Sequence, residues 1–321
     1  MTGAERTQAD RLRLSLERAL GPVVTRLLDD PAVVEIYSNP DGGVWTERHG
    51  SGRERVGEIT AAEADQVVRL IAAHGGTEAH GRSPMLAATM PGGQRFQGML
   101  PPVVKRAVFI IRRPAARVFT LDEYVAAGTT TPAAADALRE AVAARRNVLV
   151  SGGTGSGKTT LLNALLAEPS FVNSRVVLIE DVAELRCEAP DRTHLFTRSM
   201  EPTVSMADLV RSTLRMRPDR IVVGEVRGGE ALDLVKAWNT GHPGGIGTIH
   251  ANTAADALQR LEDLVGEAVA NVPRKAIASA IDVVVQVTKD ADAPSGRRVT
   301  EVLTVNGVTE SGEYSSKSIA L

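Results

Sequence analysis

The sequence contains one cysteine, few aromatic residues and almost no net charge. The single cysteine, Cys187, excludes an internal disulfide and a cysteine-rich zinc site, and we expect a buried or half-buried thiol. Aromatic residues make up 3% of the chain and the formal net charge is −2, so composition does not indicate a nucleic-acid binder or a polybasic membrane anchor. No apolar run reaches the ~18 residues of a membrane span, and the N-terminal residues lack the apolar core of a secretory signal. We therefore expect a cytoplasmic protein.

The 321 residues are enough for two domains, and the sequence pattern changes between them. Residues 1–118 mix helices with short strands and predict a small α+β domain. Residues 119–131, which end in Gly-Thr-Thr-Thr, are predicted to be a linker. From residue 132 to residue 321 strands alternate with helices, which predicts an α/β domain whose mostly parallel sheet is covered on both faces.

The strongest motif is a glycine-rich turn between a predicted strand and a predicted helix. Residues 147–160 read Asn-Val-Leu-Val-Ser-Gly-Gly-Thr-Gly-Ser-Gly-Lys-Thr-Thr and fit the pattern G-x-x-x-x-G-K-[ST] in that context. Glycines allow the backbone N–H groups to face phosphate oxygens, and the helix N-terminus attracts the same anion. Lys158 is expected to reach the β- and γ-phosphates, and Thr159 to bind Mg²⁺. The residues predicted to bind ATP are Gly152, Gly153, Thr154, Gly155, Ser156, Gly157, Lys158, Thr159 and Thr160.

Acidic residues follow two predicted buried strands. Glu180 and Asp181 end the first strand, Glu184 lies one turn further on, and Glu225 ends the second. Ligands of open parallel sheets bind at the carboxyl ends of strands, so both groups are expected beside the phosphate loop. There they would hold the water shell of Mg²⁺ and orient the attacking water, with Glu225 and Glu180 joining Thr159 as metal candidates, partly through water. The alternative for each is an ordinary solvated carboxylate.

Two of the six histidines share a glycine-rich segment, Asn239–Thr253. His250 ends a predicted strand there, and a neutral imidazole at that place could sense the γ-phosphate. A structural, hydrogen-bonded histidine is the alternative, and the same choice applies to His242. The remaining histidines are expected to be surface or cap residues: His49, His74, His80 and His194.

Three arginines of the first domain are candidate phosphate ligands. Arg95, Arg112 and Arg113 lie on or next to predicted strands. A guanidinium from a second domain or subunit can stabilise charge in a phosphoryl-transfer transition state. The alternative is a strand arginine that faces solvent.

Taken together, the motifs resemble those of the secretion ATPases that power type II and type IV secretion and type IV pili, and within them the TrbB proteins of conjugative type IV secretion systems. Four segments carry the resemblance in order: the Walker A loop 152–160, the Asp-box 179–184, the Walker B segment 221–227 and the His-box 241–253. The likeness extends into the first domain through residues 34–39, 95–102 and 110–114.

The resemblance implies a PAS-like first domain, a flexible linker and a RecA-like motor domain, assembled as a ring hexamer with nucleotide in the cleft between domains. It implies Glu184 as the catalytic acid, Glu225 as the Walker B acid and His250 as the His-box histidine. Arg112 or Arg113, or else Arg95, would contact the phosphates. Such a motor works at the cytoplasmic face of the inner membrane with other subunits of a secretion or conjugation apparatus, and no sequence-specific nucleic-acid binding is expected.

Two departures and two alternatives qualify this interpretation. Val182-Ala183 stands where pilus motors usually have a proline, and the tetracysteine zinc segment of type II motors is missing, which favours the type IV secretion branch. A nucleic-acid-stimulated RecA-like motor is one alternative, although it would need basic or aromatic pore residues. A nucleotide-gated scaffold with little turnover is the other. A measured ATPase rate, with and without single-stranded DNA, separates the three.

Overall fold

The computed structural model describes residues 3–48, 51–113, 117–198 and 202–319. His49 and Pro114, which figure in the sequence interpretation, lie outside these ranges. The chain divides into two compact units, residues 1–116 and residues 117–321. No helix in the described ranges is both long and apolar enough to cross a membrane.

The first unit has two helices and six strands within its described residues. The helices are α1 (Gly3–Asp29), which is kinked at Gly21, and α2 (Ala61–His74). The strands are β1 (Val33–Ser38), β2 (Gly43–Arg48), β3 (Ser51–Glu58), β4 (Met85–Thr89), β5 (Arg95–Met99) and β6 (Val108–Arg112). They form one sheet in the order β3-β2-β1-β6-β5-β4, and every neighbouring pair is antiparallel.

One face of this sheet is buried under the two helices, as the alternation of side chains along a strand requires. Phe109 and Ile111 of β6 are buried with Phe96 of β5 against apolar residues of α1 and α2. Arg112 of β6 is consequently exposed on the opposite face. Its cross-strand partner in the register of β5 is Arg95, so these two candidate cations stand side by side.

The second unit has eight helices and eight strands within its described residues. The helices are α3 (Leu121–Ala126), α4 (Pro132–Ala143), α5 (Lys158–Leu166), α6 (Pro169–Val172), α7 (Met206–Thr213), α8 (Glu230–Asn239), α9 (Ala254–Gly266) and α10 (Arg274–Ala280). The strands are β7 (Val148–Ser151), β8 (Val176–Glu180), β9 (Arg192–Phe196), β10 (Arg220–Val226), β11 (Ile246–Ile249), β12 (Val283–Lys289), β13 (Arg297–Val308) and β14 (Tyr314–Ser318).

These strands form one mixed sheet in the order β14-β13-β12-β7-β11-β10-β8-β9. From β12 to β9 all neighbours are parallel, whereas β12, β13 and β14 pair antiparallel. Two separate hydrophobic clusters cover the sheet, one containing α4 and α5 and the other α8 and α9. The central strand β7 is buried at all four residues, and the phosphate loop leaves its carboxyl end.

Several predictions from the sequence are confirmed here. The class is mixed α/β, as predicted, and a capping box of Thr60 and Glu63 begins α2. Cys187 is a free, buried cysteine, and burial raises the pKa of its thiol. The sequence did not predict strands β3, β9 and β14 or helices α3, α4, α6 and α10.

The segment predicted as a linker, residues 119–131, differs from that expectation. It contains α3, which begins with a capping box of Thr120 and Glu123. Leu121 and Tyr124 of this helix are buried in the same cluster as α4 and α5. The structure therefore places most of this segment in the second unit, because two apolar side chains of a short helix gain burial there.

Candidate nucleotide-binding site

The phosphate loop joins β7 directly to α5. Gly152 allows the phosphate loop to approach β12 closely, since a Cβ atom built on it would lie 2.2 Å from the carbonyl oxygen of Val287 on that strand. Gly157 begins α5 with φ at 105°, a left-handed conformation that favours glycine, and no side chain caps the helix. The N–H groups of the first turn of α5 are therefore left for an anion. Ser156 Oγ is buried and has no hydrogen-bond partner within the described residues.

Lys158 is a buried cation that lies over this loop. Its side chain is 7% exposed, and its Nζ donates to the carbonyl oxygens of Gly152 and Gly153 at 3.0 and 3.1 Å. Both ring nitrogens of His250 lie 3.3 Å from the same Nζ. The structure therefore joins the Walker A lysine to the His-box histidine, 92 residues later in the chain.

His250 follows β11 and connects the lysine to an acidic residue. Its Nε2 lies 2.6 Å from Oε1 of Glu225. Burial lowers the pKa of the imidazole, and the neighbouring positive charge of Lys158 lowers it further, while Glu225 opposes both effects. A neutral ring is thus favoured, and its unprotonated nitrogen can accept a hydrogen bond from Lys158.

Glu225 lies at an irregularity in β10. The pairing of β10 with β11 shifts between Val223 and Val226, so β10 carries one extra residue, and Thr248 Oγ1 donates to the carbonyl of Gly224 at 2.7 Å. Such a bulge re-aims a side chain. The Glu225 side chain is only 17% exposed, and its Oε2 accepts from Arg227. Its Oε1 faces His250 but accepts no hydrogen bond within the described residues, so this oxygen is left for another partner.

Arg227 connects Glu225 to the Asp-box. Its Nε donates to Glu225 Oε2 at 2.7 Å, and its Nη1 donates to Asp181 Oδ2 at 3.0 Å. The other oxygen of Asp181 accepts from Thr197 Oγ1 at 2.8 Å. These contacts connect His250 after β11, Glu225 at the end of β10 and Asp181 after β8. They lie at the carboxyl edge of the sheet, as the sequence predicts.

Glu180 has a different place from the one predicted. It is buried, and its Oε1 accepts from the backbone N–H groups of Glu184 and Leu185 at 3.0 and 2.9 Å. Its Oε2 is hydrogen-bonded to His194 Nε2. Both oxygens are used by protein donors, so this carboxylate fixes the Asp-box turn, and the arrangement does not support Glu180 as a metal ligand. His194, predicted as a surface or cap residue, is instead its half-buried partner on β9.

Asn163 holds the same turn from the other side. This residue of α5 is 3% exposed. Its Nδ2 donates to the carbonyl of Glu184 at 3.1 Å, and its Oδ1 accepts from the N–H of Arg186 at 2.8 Å. The phosphate-loop helix and the Glu184 turn are therefore joined by one side chain. The Glu184 side chain itself is half-buried.

The other predicted residues are placed as follows. His242 precedes β11 at its amino end, whereas His250 follows it, so the two histidines of the segment lie at opposite edges of the sheet. In the first unit, the Arg113 guanidinium donates to the carbonyl of Asp30, which favours the structural alternative for this residue. Arg95 and Arg112 share the outward face described above.

The site fits Mg²⁺ bound together with a triphosphate. Within the described ranges no group of three His, Cys, Asp or Glu side chains could hold a metal alone. Magnesium commonly binds through one or two protein oxygens, phosphates and water. Thr159, in the first turn of α5, and Glu225 are the residues whose oxygens suit this arrangement.

Sequence reasoning did not identify Asn163, His194 and Arg227 as members of the site. Arg227 stood within the quoted Walker B segment, and its position two residues after Glu225 was the available signal. Asn163 and His194 gave none, because their partners lie 21 and 14 residues away.

A glycine-rich loop at the carboxyl edge of a parallel sheet, followed by a helix and faced by acids from neighbouring strands, is the arrangement of the P-loop nucleotide-binding proteins. The chain belongs to the Type II/IV secretion system protein family, whose sequence profile matches residues 23–316. It is therefore a secretion ATPase, and the predicted resemblance is confirmed.

Two relatives and one solved structure illustrate the match. The chain is 46% identical to the conjugal transfer protein TrbB of Rhizobium radiobacter, over 92% of this chain and 91% of that protein. It is 32% identical to the type IV secretion system protein VirB11 of Bartonella quintana, over 82% and 86% of the two chains. The structure of the Legionella pneumophila ATPase DotB aligns with a TM-score of 0.58 at 20% identity, covering 92% of this chain and 79% of the other, and this likeness concerns the fold.

Proposed function

We propose that this protein is a Mg²⁺-dependent ATPase that works as a hexameric motor of a conjugative type IV secretion apparatus. In this proposal the second unit is a RecA-like motor domain and the first a PAS-like domain. The observation that carries the proposal is the series of polar contacts from the phosphate-loop Lys158 through the neutral His250 and Glu225 to Arg227. It brings the Walker A, His-box and Walker B segments to one place.

The phosphate loop binds the triphosphate through backbone N–H groups of residues 152–160 and through Lys158. The lysine exchanges its two carbonyl contacts for phosphate oxygens, which are better partners because they carry full negative charge. Thr159 and Glu225 are the residues that would hold Mg²⁺. The metal neutralises part of the phosphate charge and polarises the bond that breaks.

Glu184 is the residue we propose to orient and deprotonate the attacking water. Its backbone is held on both sides, by Glu180 at the N–H and by Asn163 at the carbonyl. This leaves a half-buried carboxylate on a fixed turn, as a general base requires. Glu225 is less suited to that role, since both its oxygens face cationic or N–H groups.

His250 and the first-unit arginines complete the assignment. The neutral imidazole lies between Lys158 and Glu225 and can respond to phosphate charge through its hydrogen bonds. Arg95 and Arg112 are the proposed arginine contacts to phosphate. Their register sets them opposite each other on neighbouring strands, where one polyanion could contact both.

The biological setting is inferred from the relatives. A conjugal transfer protein and a type IV secretion system protein match nearly the whole chain. We therefore propose work at the cytoplasmic face of the inner membrane, in contact with other subunits of a transfer apparatus. Assembly as a homohexamer belongs to the same proposal.

The test is the steady-state ATPase rate of the full chain, measured with its solution mass in the presence and absence of Mg-ATP. Lys158→Ala should abolish turnover, because no other loop side chain supplies a charge to the phosphates, and a hexamer mass is expected with nucleotide. Turnover in Lys158→Ala, or a monomer under both conditions, would contradict the proposal. A salt-sensitive stimulation by single-stranded DNA would instead support the nucleic-acid motor.

A further inference from the structure

Two cations from the end of the second unit lie against the phosphate loop. They are Lys289, the last residue of β12, and Arg297, the first of β13. A Cβ atom built on Gly155 would lie 3.2 Å from Lys289 Nζ, and one built on Gly157 would lie 3.1 Å from Arg297 Cδ and 3.4 Å from its Nη1. The tip of this hairpin, residues 289–297, is therefore in contact with the loop that binds phosphate.

Neither cation has a carboxylate partner within the described residues. The next residue, Arg298, shows the difference, since its Nε donates to Asp290 Oδ2 at 2.6 Å. Lys289 is exposed and Arg297 is half-buried. The phosphate loop beside them adds backbone N–H donors and the positive charge of Lys158. Four cations (Lys158, Lys289, Arg297 and Arg298) stand against two carboxylates of the tip, Asp290 and Asp292, which leaves two positive charges on this side of the site. An anion is the partner that would balance them.

The hairpin is also fixed in place. Its strand β12 pairs with β7 in parallel up to Gln286 and Ser151, directly before the phosphate loop. At the tip, Thr129 Oγ1 donates to Ser295 Oγ at 2.7 Å, and the N–H of Val299 donates to the carbonyl of Thr129 at 2.7 Å. The two cations are consequently presented by a supported element, which lowers the cost of ordering them around a ligand.

We propose that the hairpin tip is a second phosphate-binding element of the nucleotide site, in which Lys289 and Arg297 bind the polyphosphate chain of a nucleoside di- or triphosphate. This inference rests on the nucleotide site proposed above and adds two binding residues to it. Arg297 suits bidentate contact with phosphate oxygens, and Lys289 supplies a mobile point charge. Both lie about 130–140 residues after the Walker A motif, so no local sequence pattern announces them.

The experiment is a titration of the full chain with fluorescent ATP, in Mg²⁺, for the wild type, Lys289→Gln, Arg297→Gln and the control Arg298→Gln. Loss of one charge-assisted contact should weaken binding about tenfold in each of the first two variants. Arg298→Gln removes the same charge from the same hairpin and should bind within about twofold of the wild type, because Arg298 is committed to Asp290. Lys289→Arg should bind ATP within about threefold of the wild type, because it keeps the charge.

The outcomes separate the two claims. If Lys289→Gln and Arg297→Gln bind ATP as tightly as the wild type does, the inference is overturned and the ATPase proposal is left intact. Equal weakening by Arg298→Gln also overturns it, because the effect would then be one of overall charge. A wild type without affinity for ATP defeats both. Circular dichroism of each variant, expected to match the wild type, shows that a loss of binding is not a loss of fold.

Discussion

Replacing Asn163 with alanine should slow ATP hydrolysis without weakening nucleotide binding. The side chain makes two hydrogen bonds to the backbone on either side of the Glu184 turn, at 3.1 and 2.8 Å. Losing bonds of about 1 kcal/mol each would lower the free energy of unfolding by about 2 kcal/mol. For a unit of this size that corresponds to a Tm lower by roughly 4–8 °C. Because the alanine frees the turn that carries the proposed base, kcat should fall by about 10–100-fold.

The assay is steady-state ATPase kinetics combined with thermal unfolding. Asn239→Ala is the matched control, since Asn239 Nδ2 makes one hydrogen bond to the carbonyl of Ala276 at 2.7 Å, at the end of α8. It should lower Tm and leave kcat near the wild-type value. If Asn163→Ala loses stability but no more kcat than this control, or if the loss falls on KM, the side chain does not position Glu184 and the reasoning is wrong.

Three further predictions follow from the site and its support. Glu184→Gln should bind Mg-ATP within about threefold of the wild type and lose about 100-fold or more in kcat. The control Glu188→Gln, which changes an exposed carboxylate of the same segment, should keep the wild-type kcat. Single-turnover kinetics measure the difference between the two variants. Because the pKa of His250 is lowered in the folded state, the unfolded chain binds more protons just below pH 6.5, and folding stability should fall on acidification through that range. The fall in Tm between pH 7.5 and pH 5.5 should be smaller for His250→Gln than for the wild type. Arg220→Lys should lower the free energy of unfolding by about 3 kcal/mol, measured by denaturant titration. The buried Arg220 guanidinium donates to Ser174 Oγ and to the carbonyls of Val142 and Gly244, and it stacks on Phe171. Burial lowers its pKa to about 10.

The sequence predicts the phosphate loop well because its signal is local. Strand, glycine-rich turn and helix lie within residues 147–166, and each has its own chemistry. The places of Glu225 and His250 follow from a second rule, that parallel strands deliver their carboxyl ends to one edge. The structure brings His250 to Lys158 and Glu225 to His250, as this rule requires.

The parts that sequence reasoning misses depend on contacts between distant residues. Strand β14 reads Tyr-Ser-Ser-Lys-Ser and has no apolar alternation, so only its pairing with β13 makes it a strand. Glu180 looks like any acid at a strand end until β9 places His194 beside it. The hairpin cations Lys289 and Arg297 approach the loop only because β12 lies next to β7 in the sheet. In each case the missing information is the order of strands.

The distribution of charge explains why the histidine is neutral and the lysine remains buried. Lys158 Nζ rests on two carbonyl oxygens, which compensate for part of its lost hydration, and a protonated His250 beside it would place a second positive charge 3.3 Å away. The lowered pKa of His250 is the expected response. On the far side of the ring, Glu225 and Asp181 share Arg227, which balances one of the two carboxylates and leaves one negative charge. The positive charge of Lys158 therefore lies on the loop side, where it attracts phosphate oxygens, and the remaining negative charge lies across the ring, where it suits the Mg²⁺ that accompanies a triphosphate.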